Sequence, residues 1–271
     1  MTIDNALKLA SKELQNFERP RLEAEILLSF FLGVERVYLH LNSNQELESF
    51  DEFWELILRR KSYEPIEYIT KRVSFYSEEF FIQKGALIPR PESEILIDQA
   101  SRLIEKLGIK SVVEIGVGSG AVSIILAKKH PKLKITATDI SKDALKVAQK
   151  NIALHSMERR VTLKHCSLAD EVEGEIEFIV SNPPYIAKDA KLEPNVVEFE
   201  PEEALFAEDN GTKILKAVVE TALKRGAKGV VCEMGFDQKE QMEQFFNSLS
   251  LKNYGFYSDL AGLDRGFWLI A

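Results

Sequence analysis

The chain of 271 residues contains only two cysteines, Cys166 and Cys232, and four histidines, His40, His130, His155 and His165. Two thiols cannot build a disulfide framework or a four-sulfur zinc site. The histidines form no pair at metal-ligand spacing, so no metal is expected. The cysteines read as small buried side chains in a reducing compartment. Long apolar runs are missing as well. The longest strongly apolar stretch, Ile26 to Val34, falls far short of the about 20 residues of a membrane span. Met1 to Lys12 carry Asp4 and no apolar core, so no signal peptide is expected. The expectation is a soluble, cytoplasmic protein with no membrane partner. Positive charge is not in excess: 35 basic and 43 acidic side chains leave a net −8. That removes a global attraction to phosphate and counts against large duplex nucleic acid as the main partner. Internal repeats and low-complexity segments are absent. What remains is ordinary globular composition, 45% hydrophobic and 29% charged, at a length suggesting two domains of roughly 100–200 residues.

Residues 1–72 read as a small helical bundle. Ile3, Leu7, Ala10 and Leu14 recur on one helix face. Pro20 opens a second apolar helix to Leu32, and Gly33 ends it. A third runs about Val34 to Leu41, and a fourth about Ser49 to Arg60. The texture then changes. Val73 to Gln83 is aromatic and β-branched and reads as a hairpin or extended connector, completed over 73–92 by Ile88-Pro89-Arg90-Pro91-Glu92, whose prolines exclude a helix. From residue 93 to 271 strands and helices alternate, with strands expected at 110–115, 133–138, 160–165, 176–181 and 227–233. Helices are expected at 93–107, 121–130, 141–154, 211–225 and 236–247. This pattern predicts an α/β fold, a doubly wound parallel sheet with helices on both faces. Tyr254 to Ser258 and Gly266 to Ile270 have no helix between them and should pair antiparallel at the sheet edge.

Two features of the alternating region point to a ligand. Val112-Val113-Glu114-Ile115 runs into Gly116-Val117-Gly118-Ser119-Gly120, and a helix begins directly after. Such glycines let a backbone approach a ligand beside free helix N–H groups. The next strand ends in Asp139, placed to bind ribose hydroxyls; an acid before Ser141 could also cap the helix that follows, but the glycine turn and the acid support each other as a ligand site. Gly116, Gly118 and Ala121 also satisfy a relaxed dinucleotide pattern. A dinucleotide and an adenosine-containing cofactor such as S-adenosylmethionine both fit at this point.

The fourth strand, Ile176 to Ser181, leads into Asn182-Pro183-Pro184-Tyr185. Carboxyl ends of strands in such sheets face the ligand crevice. The prolines lack N–H groups and hold backbone carbonyls rigidly. Asn182 adds a side-chain acceptor and Tyr185 a flat aromatic surface. Together they fit a planar group bearing an NH₂, with two acceptors for its hydrogens and a ring for stacking.

Asn-Pro-Pro-Tyr at this place resembles amino-group methyltransferases that use S-adenosylmethionine. Three further stretches narrow the resemblance: Glu64-Pro65-Ile66-Glu67-Tyr68-Ile69, the run to Phe81 with Ile88 to Glu94, and Phe199-Glu200-Pro201 to Ala204-Leu205. With the tail, Asp259-Leu260-Ala261-Gly262-Leu263-Asp264-Arg265, they resemble the peptide chain release factor glutamine methyltransferases, the HemK/PrmC family. The resemblance covers about 60–271, while 1–60 matches in helical character alone. It implies a class I S-adenosylmethionine-dependent methyltransferase sheet and a substrate-recognising N-terminal domain. It also implies methyl transfer to the amide nitrogen of glutamine in the Gly-Gly-Gln motif of bacterial class I release factors, leaving S-adenosyl-L-homocysteine. No direct nucleic acid binding is expected. Carried over, Gly116, Val117, Gly118, Ser119 and Gly120 would hold the methionyl part and Asp139 the ribose. Asn182 would touch both the methyl donor and the substrate amide, and Pro183, Pro184 and Tyr185 would shape the glutamine pocket. Family members commonly carry an acid and a bulky aromatic near the adenine. Here Cys166 and Ser167 stand there, leaving contacts to the backbone, to Ser167, or to Asp170 nearby.

An amide nitrogen is a poor nucleophile. Acceptors at Asn182 Oδ1 and the Pro183 carbonyl would hold both its hydrogens, orient it and stabilise developing positive charge. The alternative is a DNA or RNA base amino-methyltransferase, which would have to extract a base from its stack. A catalytically silent cofactor-binding scaffold is a third reading, against which the intact Asn182 constellation stands.

Overall fold

The computed structural model of the chain describes residues 1–270. They divide into two compact units: Met1–Arg72 with Glu193–Phe199, and Val73–Leu192 with the chain from Glu200 onward. No helix among the described residues is long and apolar enough to cross a membrane.

The first unit is helical: α1 (Ile3–Glu13), α2 (Pro20–Leu32), α3 (Arg36–Leu41), α4 (Phe50–Lys61) and α5 (Ile66–Thr70). The Thr2 hydroxyl caps α1 by accepting from the Asn5 N–H. Pro20 stands at the first position of α2, and Gly33, at φ +65°, closes that helix in the left-handed conformation glycine favours. The stripe Ile3, Leu7, Ala10 and Leu14 is buried against Leu27, Leu28, Phe53 and Ile57. The buried Glu25 carboxylate is satisfied by Arg21 and Arg36.

The second unit begins with a hairpin, β1 (Arg72–Phe75) and β2 (Glu78–Phe81). Its two-residue turn, Tyr76-Ser77, has both φ angles positive, at 53° and 60°, as the twist of a tight hairpin demands. Helix α6 (Ser93–Leu107) leads into β3 (Ser111–Ile115), α7 (Ala121–Lys129), β4 (Lys134–Asp139), α8 (Lys142–Leu154), β5 (Val161–His165) and β6 (Phe178–Ser181). After β6 come the short elements β7 (Ile186–Ala187), then α9 (Pro194–Val197), which belongs to the first unit, then α10 (Glu202–Leu205) and β8 (Phe206–Ala207). The chain closes with α11 (Lys213–Lys224), β9 (Gly229–Glu233), α12 (Lys239–Ser248), β10 (Tyr254–Ser258) and β11 (Asp264–Ile270).

Seven strands form one sheet in the order β10-β11-β9-β6-β3-β4-β5. The five strands β3, β4, β5, β6 and β9 run parallel, and β10 and β11 add the antiparallel edge pair that the tail pattern predicts. Alternate side chains point to opposite faces. Val112, Phe178, Val180 and Val231 join α6, α7 and α8 in one core layer. Val113, Ile115, Ile179, Val230 and Cys232 join α11 and α12 in the other. Both faces are covered, so the central strands β3, β6 and β9 are buried almost throughout.

Most element bounds lie within three residues of the sequence expectation. The short pieces do not follow from periodicity: α5, α9, α10 and the two-residue parallel ladder between β7 and β8 are too brief to show one. Helix α11 starts at Lys213, not 211, because Gly211 adopts φ +84° in the preceding turn. Helix α12 starts at Lys239, not 236, because the Gln238 side chain turns back to accept from the Gly235 N–H.

Candidate active site

Strand order reverses at β3, which pairs with β4 on one side and β6 on the other. A crevice opens at such a point beyond the carboxyl ends of the strands. Ile115 and Ser181 are ladder partners, and the Ser181 hydroxyl donates to the Ile115 carbonyl at 2.8 Å. Gly116 and Asn182 therefore leave the sheet side by side. Gly116, Val117, Gly118, Ser119, Asp139, Ser167, Asn182, Pro183 and Pro184 all line one cleft.

The glycine turn is built from within. Gly116, Gly118 and Gly120 have φ of 78°, 52° and 84°, the left-handed region where a side chain is strained. A Cβ at Gly118 would meet nothing within 4 Å, whereas one at Gly120 would press on Ala148 at 3.3 Å. Gly118 thus faces open cleft, and Gly120 lets α8 pack closely. Asn151, wholly buried on α8, donates to the Ser119 carbonyl at 2.8 Å and exchanges two hydrogen bonds with the backbone of Phe81. One side chain thereby fixes the turn to the hairpin.

Asp139 does two jobs. One carboxylate oxygen accepts from the Gly118 N–H at 2.9 Å and the other from the Ser141 N–H at 2.8 Å. The cap of α8 is Ser141, whose hydroxyl accepts from the Ala144 N–H, so Asp139 braces the turn into that helix and its carboxylate remains a candidate ligand group. Burial raises its pKa despite those bonds. Glu114, one strand over, is 2% exposed, lines the same cleft and accepts from the Ser123 hydroxyl. Its pKa is pushed up to about 8, first by burial and then by the neighbouring Asp139 charge.

At the end of β6, the Asn182 Nδ2 donates to the Ser93 hydroxyl at 2.9 Å. No donor among the described residues bonds its Oδ1. Behind Asn182 the loop is held by Gln238, which donates to the carbonyls of Tyr185 at 2.7 Å and Asn210 at 3.0 Å. A Cβ on Gly211 would sit 2.0 Å from the Tyr185 carbonyl, so only glycine fits there. Glu200, 4% exposed, accepts from the Ile88 N–H at 3.0 Å and pairs with Arg90. That pairing links two of the short motifs singled out in the sequence.

Three placements differ from the sequence reading. Tyr185 is not among the residues lining the cleft. Its ring packs on the core layer of α11 and α12, and its hydroxyl donates to Glu233 at 2.9 Å, because a buried phenol needs a partner. Gly120 is likewise behind the wall, under α8. Asp170 is absent from the lining, which Cys166, Ser167 and Leu168 provide. Ser93 and Glu233 are the residues the sequence reading missed. An acid closing an apolar strand is the signal that marks Asp139, and Val230-Val231-Cys232-Glu233 carries it too.

Fold and cleft define a class: the S-adenosylmethionine-dependent α/β methyltransferases. The methyltransferase small domain family matches residues 93–251, and the PrmC N-terminal domain family matches residues 5–70, including the helices that resembled the family only in outline. The chain belongs to the release factor glutamine methyltransferase family. It is 34% identical over 275 residues to the release factor glutamine methyltransferase of Koribacter versatilis, covering 98% of this chain and 97% of that one. It is 35% identical over 277 residues to the bifunctional methyltransferase of Rickettsia typhi, but spans only 52% of that longer relative. Among solved structures, the ribosomal protein L11 methylase of Lactobacillus delbrueckii subsp. bulgaricus matches with a TM-score of 0.50 at 20% identity, over 72% of this chain and 86% of that one. The N-terminal domain of human METTL16 in complex with SAH matches with a TM-score of 0.52 at 14% identity, over 85% and 86%. At these identities the structural likeness speaks for the fold.

Proposed function

We infer that this chain methylates the side-chain amide nitrogen of the glutamine in the Gly-Gly-Gln motif of bacterial class I release factors, leaving S-adenosyl-L-homocysteine. The observation carrying this reading is the placement of Gly116 and Asn182 directly beyond the paired Ile115 and Ser181 of adjacent strands, with the Asn182 Oδ1 free of donors among the described residues.

The residues present fit S-adenosylmethionine. The open space at Gly118 suits close approach of a ligand to the backbone. The Asp139 carboxylate suits ribose hydroxyls, and Cys166, Ser167 and Leu168 offer a wall for the base. When bound, the cofactor supplies an electrophilic methyl group on a sulfonium. The chain supplies position and polarity. The Asn182 Oδ1 and the Pro183 carbonyl accept the two amide hydrogens and favour the polarised form of the amide. They also stabilise positive charge as it develops on nitrogen, and the N-methylated amide, strongly acidic once charged, then gives one proton to solvent. Pro183 and Pro184 keep the loop rigid because their φ angles are fixed. The first unit, outside the residues of this cleft, is assigned to recognition of the protein substrate.

Incubation of purified release factor with the chain and S-adenosylmethionine, followed by mass spectrometry of the Gly-Gly-Gln peptide, tests the reading. One methyl on the glutamine side chain is expected. An unmodified glutamine together with methylated DNA or RNA would overturn it in favour of a base methyltransferase.

A further inference from the structure

Behind Asn182 lies a buried chain of polar groups that the proposed chemistry leaves unused. Asn182 Nδ2 donates to Ser93 Oγ at 2.9 Å, and Ser93 Oγ donates to Glu233 Oε2 at 2.6 Å. The other carboxylate oxygen of Glu233 accepts from the Tyr185 hydroxyl at 2.9 Å. Ser93 is 3% exposed and Glu233 1% exposed. The four residues come from three separate elements: the start of α6, the loop after β6 and the end of β9.

With Glu233 ionised, the order of donors in this chain is forced. A carboxylate only accepts, and a serine hydroxyl has one proton. If Ser93 gives that proton to Glu233, its oxygen can only accept from its other neighbour. Asn182 must then turn its NH₂ toward Ser93 and its carbonyl oxygen away. If a donor replaced the carboxylate, the hydroxyl could point the other way, and the Asn182 amide could reverse. A reversed amide presents NH₂ where the substrate amide needs an acceptor.

We propose that Glu233, through Ser93, is a positioning residue that fixes which face of the Asn182 amide is offered to the substrate, with Tyr185 holding the second oxygen of the carboxylate. The proposal rests on the reading of Asn182 as the acceptor for the substrate amide. Glu233→Gln keeps size and shape but puts a donor-bearing amide beside Ser93. Ser93→Ala removes the link, and Ser93→Thr keeps a hydroxyl.

The test is steady-state methylation of intact release factor by the full-length variants, with S-adenosylhomocysteine binding measured by calorimetry. Glu233→Gln and Ser93→Ala should lower kcat by about 10²-fold, the scale of a displaced reacting group, with binding of the nucleoside product kept within a fewfold. Ser93→Thr should recover most of the loss of Ser93→Ala. The decisive measurement is a double-mutant cycle. Adding Glu233→Gln to Asn182→Ala should cost almost nothing further, because the relay acts only through Asn182. If the two losses multiply, Glu233 acts elsewhere and the proposal fails. It fails too if Glu233→Gln turns over normally while Asn182→Ala does not, an outcome that leaves the role of Asn182 intact. If Asn182→Ala itself is unimpaired, the reading of the site and the relay fall together.

Discussion

Replacing Glu114 by glutamine should stabilise the protein at alkaline pH and not at acid pH. The carboxyl is buried beside Asp139, and its pKa stands at about 8 against an ordinary 4.5. Between those values the unfolded chain gives up the proton while the folded one retains it. Stability therefore falls as pH rises through this window, by about 1.4 kcal/mol per pH unit at its steepest. Between pH 5 and pH 8 the group withdraws roughly 3–4 kcal/mol from the cofactor-free protein. Glu114→Gln removes that dependence and keeps an oxygen to accept from Ser123. Its new NH₂, if unpaired, costs about 1–3 kcal/mol at every pH, so the measured quantity is the change in the gap between variant and parent. Urea denaturation at the two pH values should show the gap moving in the variant's favour by roughly 3–4 kcal/mol, or a relative rise in melting temperature of roughly 6–16 °C. A gap constant between pH 5 and pH 8 would refute the reasoning and mean that Glu114 ionises normally in its buried place.

Asn182→Ala should cut turnover by about 10²–10³ with little effect on melting temperature, the usual consequence of losing one preorganised polar partner. Asn182→Asp should bind S-adenosylmethionine yet turn over slowly, because its charge favours the sulfonium before transfer and not after; equal kcat for parent and Asp variant would contradict this. Gly118→Val should abolish cofactor binding in calorimetry, since its φ of 52° strains any side chain and the Cβ enters open cleft. Gly211→Ala, with a Cβ set 2.0 Å from the Tyr185 carbonyl, should lower both melting temperature and turnover by displacing the loop after β6. A fragment beginning at Val73, once shown to be folded by circular dichroism, should bind the cofactor but lose activity on intact release factor; full activity would argue against recognition by the helical unit.

The parallel part of the sheet was legible because its central strands β3, β6 and β9 are largely apolar and buried and alternate with periodic helices. The glycine turn, Asp139 and Asn182 were legible because each follows directly on such a strand. Ser93, Glu233 and Gln238 were not, since a polar side chain looks the same in sequence whether it faces solvent or a buried partner 140 residues away, as Ser93 and Glu233 do. Tyr185 illustrates the converse. Its position after Asn-Pro-Pro suggested a stacking surface, but the neighbouring carboxylate, invisible at that range, draws the ring into the wall. Gly211 carried no signal because the carbonyl it accommodates lies in a different loop.

The pairing of Ile115 with Ser181 has a consequence for how the reaction tolerates change. Neighbouring strands lie about 4.8 Å apart, and Gly116 and Asn182 are the first residues beyond that rung. The span between the side proposed to receive the cofactor and the side proposed to receive the amide is therefore a ruler made of backbone. It is graduated in hydrogen bonds, and no hinge has to close to set it. Loops around the cleft can lengthen, shorten or change charge to suit different partners without altering the reading on the ruler. A single residue inserted into β3 or β6 cannot be absorbed in the same way, because a one-residue slip turns every side chain of the strand to the opposite face. Variation in substrate choice should accordingly accumulate in the loops and the helical unit, while the lengths of these two strands stay fixed.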